Sequence, residues 1–277
     1  MKLSVVVCVR NGEATLEDAL KSIRANNPSE LIVVYGKSSD RTVSIAKKYA
    51  DKLFFDKGKS LAYARNLGLK KAKENFISFT DADTIVPSGV YDKMFSEMKS
   101  NGWVGIHSQI VAPKTNNYLE WAEDKNFKVL FNSAGVRHRI GTIVTIWDKR
   151  VLLRYRFDPF LRRTSEDQDV CIRLVNDGFL VGVSESYAFH HHRTGFRKFA
   201  RQKFQYGEGN ARLAWKHGNP KFLINWALIV PYILVRSFQK KQYLTGLALI
   251  PYAFLNTLFT GSGVFYRFVK LFFGVNK

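Results

Sequence analysis

Phe76-Ile77-Ser78-Phe79-Thr80-Asp81-Ala82-Asp83 is the stretch on which the reading of this chain turns. Residues 76–79 have the short, apolar pattern of a buried strand, and two acids follow almost at once. Acids just past the carboxyl end of a parallel strand sit where α/β sheets bind their ligands. Whether this strand is parallel depends on what precedes it. Residues 3–9 form a β-branched run, the mark of a strand covered on both faces, and Asn11-Gly12 breaks it. Leu16, Ala19, Leu20 and Ile23 recur at helical spacing, and Asn26-Asn27-Pro28 ends that helix. Residues 31–35 read as a second strand. Thr42, Ile45, Ala46 and Tyr49 line a second helix, with Asp40 near its start. Residues 53–55 read as a short third strand and 60–73 as a third helix. This alternation predicts βαβ units, hence an α/β fold with a mostly parallel sheet.

Beyond the acids the pattern is less regular. Residues 103–111 and 140–147 read as strands with a helix over 117–131 between them. Residues 166–177 read as a helix stopped by Gly178, and 179–183 as a strand.

Two clusters carry candidate chemistry. Asp81 and Asp83 repel each other unless a cation neutralises them, and a divalent ion with a bound diphosphate does so naturally. The plainer alternative is a solvated turn with a helix cap. Ser165-Glu166-Asp167-Gln168-Asp169 opens an apolar-periodic helix. Acids there are stabilised by the helix dipole, so simple capping competes with a general base on a rigid element.

The chain has 277 residues, with 46% hydrophobic and 24% charged, which excludes a disordered polymer. Two cysteines, Cys8 and Cys171, exclude a disulfide scaffold and Cys-rich zinc sites. The N-terminal apolar run is too short for a signal peptide, so residues 1–192 are expected to face the cytoplasm. The net charge is +20, and it is uneven. Residues 193–277 hold 14 Lys+Arg and a single acid, Glu208, a net of +13; residues 1–192 hold a net of +7.

That basic region also holds two uncharged runs, 222–235 and 242–266, of 14 and 25 residues. A spanning helix needs roughly 20 apolar residues, so the second run qualifies and the first lies in the interface or crosses obliquely. Pro231 and Pro251 are tolerated in membrane helices. Residues 264–273 alternate apolar residues with Arg267 and Lys270, as a surface-lying helix does. The Phe, Arg and Lys residues of 194–204 fit an RNA-binding stripe, a lipid surface, or a basic helix packed on its own domain. The neighbouring uncharged runs favour the membrane over nucleic acid.

Taken in order, these pieces resemble the family 2 glycosyltransferases of GT-A fold. Residues 4–13 are similar to that family's first strand and loop, and Ser38-Ser39-Asp40-Arg41-Thr42 to its S-T-D-G-T. Ala64-Arg65-Asn66-Leu67-Gly68 matches A-R-N-x-G, and Asp81-Ala82-Asp83 matches D-x-D. Phe157-Asp158-Pro159-Phe160-Leu161 followed by Glu166-Asp167 matches F-D-x-x-L and E-D. The resemblance covers about residues 3–180.

The resemblance implies a GT-A, Rossmann-like nucleotide-sugar domain over 1–192, while the charge and the uncharged runs of 193–277 predict an amphipathic interface helix and one or two transmembrane helices there. It implies inverting transfer of a sugar from a nucleotide-diphosphate sugar, GDP-mannose first and UDP-glucose or UDP-GlcNAc as alternatives, to a lipid-linked acceptor at the membrane. Asp83 and Asp81 would hold Mg²⁺ or Mn²⁺, and one histidine of His190-His191-His192, taken as His192, would complete the metal shell; a plain strand end is the competing reading. Asp167 would be the base, with Glu166 as the second candidate. Arg10, Asn11, Glu13, Asp40 and Arg65 would line the donor pocket with Asp81. Tyr35-Gly36 replaces the acids usual in the family, so Tyr35 would stack on the base. Gln202-Lys203-Phe204-Gln205-Tyr206 resembles the Q-x-x-R-W of membrane-embedded members such as cellulose synthases. Gln202 and Tyr206 would then meet the acceptor, and phosphate contact falls to Arg201 or Arg193. A non-catalytic scaffold binding anionic lipid is the reading from another class.

Overall fold

Leu16, Ala19, Leu20 and Ile23 are completely buried, as their spacing requires. At about 2 kcal/mol per large aliphatic side chain, that burial holds a nine-residue helix that would not form alone. The same logic repeats along the chain. The computed structural model describes residues 2–162, 164–192, 195–224 and 228–273. In order these form β1 (Leu3–Val9), α1 (Leu16–Arg24), β2 (Glu30–Tyr35), α2 (Thr42–Tyr49), β3 (Lys52–Phe55), α3 (Leu61–Lys71), β4 (Phe76–Phe79), β5 (Thr84–Ile85), α4 (Val90–Ser100) and β6 (Gly105–Val111). There follow α5 (Tyr118–Leu130), β7 (Gly135–Arg137), β8 (Thr145–Asp148), α6 (Lys149–Tyr155), α7 (Glu166–Asn176) and β9 (Val181–His190). The remaining elements are α8 (Phe196–His217), α9 (Lys221–Ile224), α10 (Ile229–Gln239), α11 (Tyr243–Ala248) and α12 (Ile250–Phe272).

The chain divides into two units. The first comprises residues 1–113, 133–162 and 166–191; the second comprises 114–132, 163–165 and 192–277. Besides the expected C-terminal segment, the second therefore includes α5.

In the first unit one sheet runs β3-β2-β1-β4-β8-β6-β9-β5, with β7 also paired to β9. The first four strands are parallel, as read from the sequence. Beyond them the expectation of a mostly parallel sheet holds only in part: β6 pairs in parallel with β9, but the other pairings are antiparallel. β8 is antiparallel to both β4 and β6, and β5 and β7 are antiparallel to β9, so the sheet is mixed. The cause lies in β8, which is inserted between β4 and β6 and runs opposite to both, so two parallel sets meet across one antiparallel strand. β9 also runs seven residues past the expected strand end at 183, and this extension builds part of the site.

In the second unit α8 crosses α12 at two glycines. A Cβ on Gly207 would lie 2.0 Å from the Thr260 carbonyl oxygen, and one on Gly263 would lie 2.0 Å from that of Phe204. Next to this crossing Arg267 pairs with Glu208, the lone acid of the C-terminal region. On the same helix Lys203 is buried against both carboxylate oxygens of Glu123 on α5, at 2.9 and 2.8 Å, and the Tyr252 hydroxyl donates to Glu123 as well.

The expected transmembrane helix is not found: among the described residues no helix is long and apolar enough to cross a membrane. The 242–266 run breaks at Leu249 between α11 and α12, because Pro251, which has no N–H to give, sits in the first turn of a new helix. The 222–235 run is divided between α9 and α10. Arg193, residues 225–227 of that run and the tail with Lys277 lie outside the described residues.

Candidate active site

The site begins with the turn after β4. The Asp81 N–H donates to the Ile143 carbonyl at 2.8 Å, which ties the turn to the segment entering β8. After Asp83 the chain immediately pairs with β9: Thr84 lies opposite His190 and Ile85 opposite Phe189. The His191 N–H also donates to the Asp83 carbonyl at 3.0 Å. This zipper brings the two acids to His190, whose Nε2 lies 3.3 Å from Asp83 Oδ1. Asp81, Asp83 and His190 each offer a ligand atom within 4.8 Å of the others. The expected third ligand, His192, is not part of this group. It falls in the second unit, where its ring stacks on Phe127 at 5.7 Å. The end of the strand explains the swap: His190 is the last residue of β9 and is held opposite Thr84, whereas His192 lies beyond the strand.

Arg65 links this group to the second acidic cluster. It is buried, pairs with Glu166 and lies 3.6 Å from Asp81. The A-R-N-x-G pattern now has a physical reading. Ser60 caps α3 by accepting from the Tyr63 N–H at 3.2 Å. Asn66 clasps the Phe157 backbone at both ends, accepting at 3.0 Å and donating at 2.7 Å. Gly68 lets α3 close on β1, since a Cβ there would lie 2.4 Å from Val6. Phe157 in turn packs edge-on against Phe79 at 5.2 Å, with the Arg65 guanidinium 5.8 Å from its ring centre.

Burial opposes the Arg65 charge, yet Glu166, Asp81 and Asp167 together outweigh burial and raise its pKa. The acids respond to the same crowding. Burial, opposed by Arg65 and aided by Asp83, lifts Asp81 to about 6. Burial lifts Glu166 to about 7, again against Arg65. Its Oε2 is buried with no hydrogen-bond partner among the described residues. Asp167 is raised by burial, while Arg65, the Gln168 N–H and the Thr142 hydroxyl pull it back. One guanidinium thus faces a surplus of carboxylates. Two carboxylates and an imidazole beside that surplus form an oxygen-rich donor set that fits a divalent cation.

The two candidates for the base separate in this geometry. Glu166 is buried and committed to Arg65, whereas Asp167 is partly exposed and its carboxylate borders Gly141. The spot a Cβ on Gly141 would fill lies 3.8 Å from Asp167 Oδ2 and 3.5 Å from His107 Nε2. His107 was not anticipated. It is buried in β6, burial depresses it to about 4, and its Nε2 has no hydrogen-bond partner among the described residues. A histidine inside a strand-like run, Ile106-His107-Ser108-Gln109-Ile110, was the available signal.

The expected donor-pocket residues gather in the loops after β1 and β2. The Asn11 N–H donates to Ser38 Oγ at 3.0 Å, and Asn11 accepts from the Ser39 N–H at 2.9 Å. The Glu13 N–H donates to Asp40 at 3.1 Å, and Glu13 accepts from the Arg41 N–H at 3.1 Å. Asp40 is held below the usual carboxylate range by the Thr42 hydroxyl and by the backbone N–H groups of Glu13 and Thr42. Asn11, Glu13 and Asp40 therefore staple the two loops together. The aliphatic stem of Arg10 lies against Gly36, and the half-buried Tyr35 ring is 5.4 Å from that of Phe55. Gln202 and Tyr206 lie one turn apart on α8 in the second unit and share a 3.0 Å hydrogen bond.

A nucleotide-binding-type α/β sheet with an acidic metal group at its carboxyl edge and a second acid beside it is the layout of a GT-A transferase. The profile of glycosyl transferase family 2 matches residues 4–159, and the chain belongs to that family. A cholesterol galactosyltransferase of Borreliella burgdorferi is 25% identical over 220 residues, 71% of this chain. The chain spans 60% of that relative's length, and the same share of an uncharacterized glycosyltransferase of Haemophilus influenzae. Among solved structures, S. aureus TarS 1-349 in complex with UDP-GlcNAc superposes with a TM-score of 0.56 at 14% identity, covering 99% of this chain and 92% of that one. Glucosyl-3-phosphoglycerate synthase of Mycobacterium tuberculosis, solved with Mn²⁺, UDP and its product, gives 0.58 at 15%, covering 78% and 80%. At these identities the likeness concerns the fold.

Proposed function

We propose that the protein transfers a hexose from a uridine-diphosphate sugar to the hydroxyl of a lipid-borne acceptor, with inversion at the anomeric carbon. The observation that carries this reading is the Asp81–Asp83–His190 group joined through Arg65 to the acids that open α7. A divalent ion held there, Mn²⁺ by preference, would supply charge neutralisation for a departing diphosphate. Asp167 takes the proton of the acceptor hydroxyl as the oxygen bonds to the anomeric carbon. The bond from that carbon to the diphosphate breaks, and the nucleoside diphosphate leaves with the electron pair. Arg65 and Glu166 hold the two acidic clusters in place, and Tyr35 receives the base against its ring.

Uridine is favoured over the guanosine expected from the sequence because the solved neighbours bear UDP or UDP-GlcNAc. A lipid acceptor is supported by the sterol named for the Borreliella relative. Isothermal titration of the full chain with UDP-glucose, UDP-GlcNAc, UDP-galactose and GDP-mannose, each with Mn²⁺, tests the donor. At least one UDP-sugar is expected to bind tenfold more tightly than GDP-mannose. The reverse order overturns the choice of nucleotide, and absence of binding by all four overturns the donor site.

A further inference from the structure

The buried residues of α12 are Tyr252, Ala253, Thr260, Gly263, Val264, Arg267 and Leu271, a single stripe. The opposite stripe of a surface helix is normally polar. Here it carries Phe254, Leu258, Phe265 and Phe272, with Phe265 72% and Phe272 70% exposed. α10 repeats the pattern: Ile233 and Ser237 are buried, while Tyr232, Val235 and Phe238 are exposed. α11 exposes Leu244, at 83%, and Leu247. The turn joining α10 to α11 places exposed Lys241 between Phe238 and Leu244, and the rings of Phe238 and Tyr243 meet edge-on at 5.3 Å. Single exposed apolar residues are ordinary, but three helices that each turn such a face outward need a cover.

Charge selects the cover. Residues 193–277 hold 14 Lys+Arg and one acid, and that acid, Glu208, is already paired with Arg267. A second copy docked on the same face would bring like charges together, whereas an anionic bilayer complements both features. Aromatic residues beside lysine are suited to the headgroup level, where ring bodies are apolar and cations meet lipid phosphates. We propose that the second unit binds anionic membranes by laying the outward faces of α10, α11 and α12 into the headgroup region, without crossing the bilayer. This surface belongs to the second unit alone and does not depend on the catalytic reading.

Co-sedimentation of the full chain with vesicles tests it. Vesicles of phosphatidylcholine with 30% phosphatidylglycerol (about one anionic lipid in three, enough for a strong surface potential) are expected to pellet the protein, and pure phosphatidylcholine at least tenfold less. Phe265→Ser with Phe272→Ser, and separately Phe238→Ser with Leu244→Ser, are expected to weaken pelleting at least tenfold while UDP binding in solution is unchanged. Should these variants fail to fold, Phe254→Trp serves instead, its added fluorescence quenched by brominated lipid if the face is inserted. Wild type left in the supernatant with every vesicle overturns the proposal. So does a detergent-free dimer that these substitutions dissociate, which would make a second copy the cover. Loss of UDP binding with vesicle binding retained counts against the donor site and leaves this surface standing.

Discussion

Arg65 and Glu166 lie 101 positions apart in the chain and form a buried ion pair beneath the candidate metal group. Removing one partner of such a pair leaves the other charge buried and uncompensated. Arg65→Leu is expected to cost about 3–5 kcal/mol, read by denaturant unfolding. The double variant Arg65→Leu, Glu166→Leu should recover most of that loss while activity stays absent.

The same pair makes stability depend on pH. Glu166 and Asp81 have folded-state pKa values above their ordinary ones, at about 7 and about 6. Between the ordinary carboxylate range and those values the native state holds more protons than the unfolded chain, so stability falls as pH rises. The metal-free protein should lose on the order of 1–3 kcal/mol between pH 5 and pH 8. Glu166→Gln, neutral throughout, should flatten much of that slope in denaturation curves at the two pH values.

Asp83→Asn removes a negative charge from the candidate cation group, and His190→Ala removes a ligand atom. Each is expected to raise the Mn²⁺ concentration needed for half-maximal UDP binding about tenfold or more. His192→Ala should leave it unchanged, since that ring stacks on Phe127 in the other unit. Titration calorimetry of the three variants side by side decides which histidine matters.

Asp167→Asn keeps the shape and removes the base. Loss of a general base typically lowers turnover by about 10²–10⁴. Donor affinity should survive. Gly141→Ala makes a complementary test: its Cβ would meet His107 and Asp167 only at ordinary contact distance, so the fold should tolerate it. The methyl group nonetheless occupies space beside the base, and turnover should fall without a comparable loss of stability.

Gly207→Ala or Gly263→Ala would drive a methyl group into the backbone of the facing helix. Overpacking of this kind costs about 1–3 kcal/mol or more. Cleavage by a protease in the α8–α12 region, compared with wild type, measures it.

The parallel half of the sheet was legible because strands buried on both faces read as continuous apolar runs and their helices keep a clean stripe. β5 and β7 were not legible, since two and three residues leave no period to detect. Asp81, Asp83 and Asp167 could be picked out by position after a strand and at a helix start. His190 could not be told from His192, because that choice is made by the pairing of Thr84 with β9. The run 242–266 was read as a spanning segment because a window of uncharged residues does not reveal where Pro251 restarts the chain. Nor does it show which apolar residues turn inward.

The pairing of β5 with β9 joins residues more than a hundred positions apart with only two strand residues from β5. A slip of one residue would turn His190 to the opposite face of the sheet and leave Asp81 and Asp83 without it. Cation affinity would therefore work as a proofreader of strand registration: only a correctly zipped chain can offer all three donors. Because the ion would bind that chain and not its slipped or unfolded forms, saturating it a hundredfold would favour the correct register by about 2.7 kcal/mol.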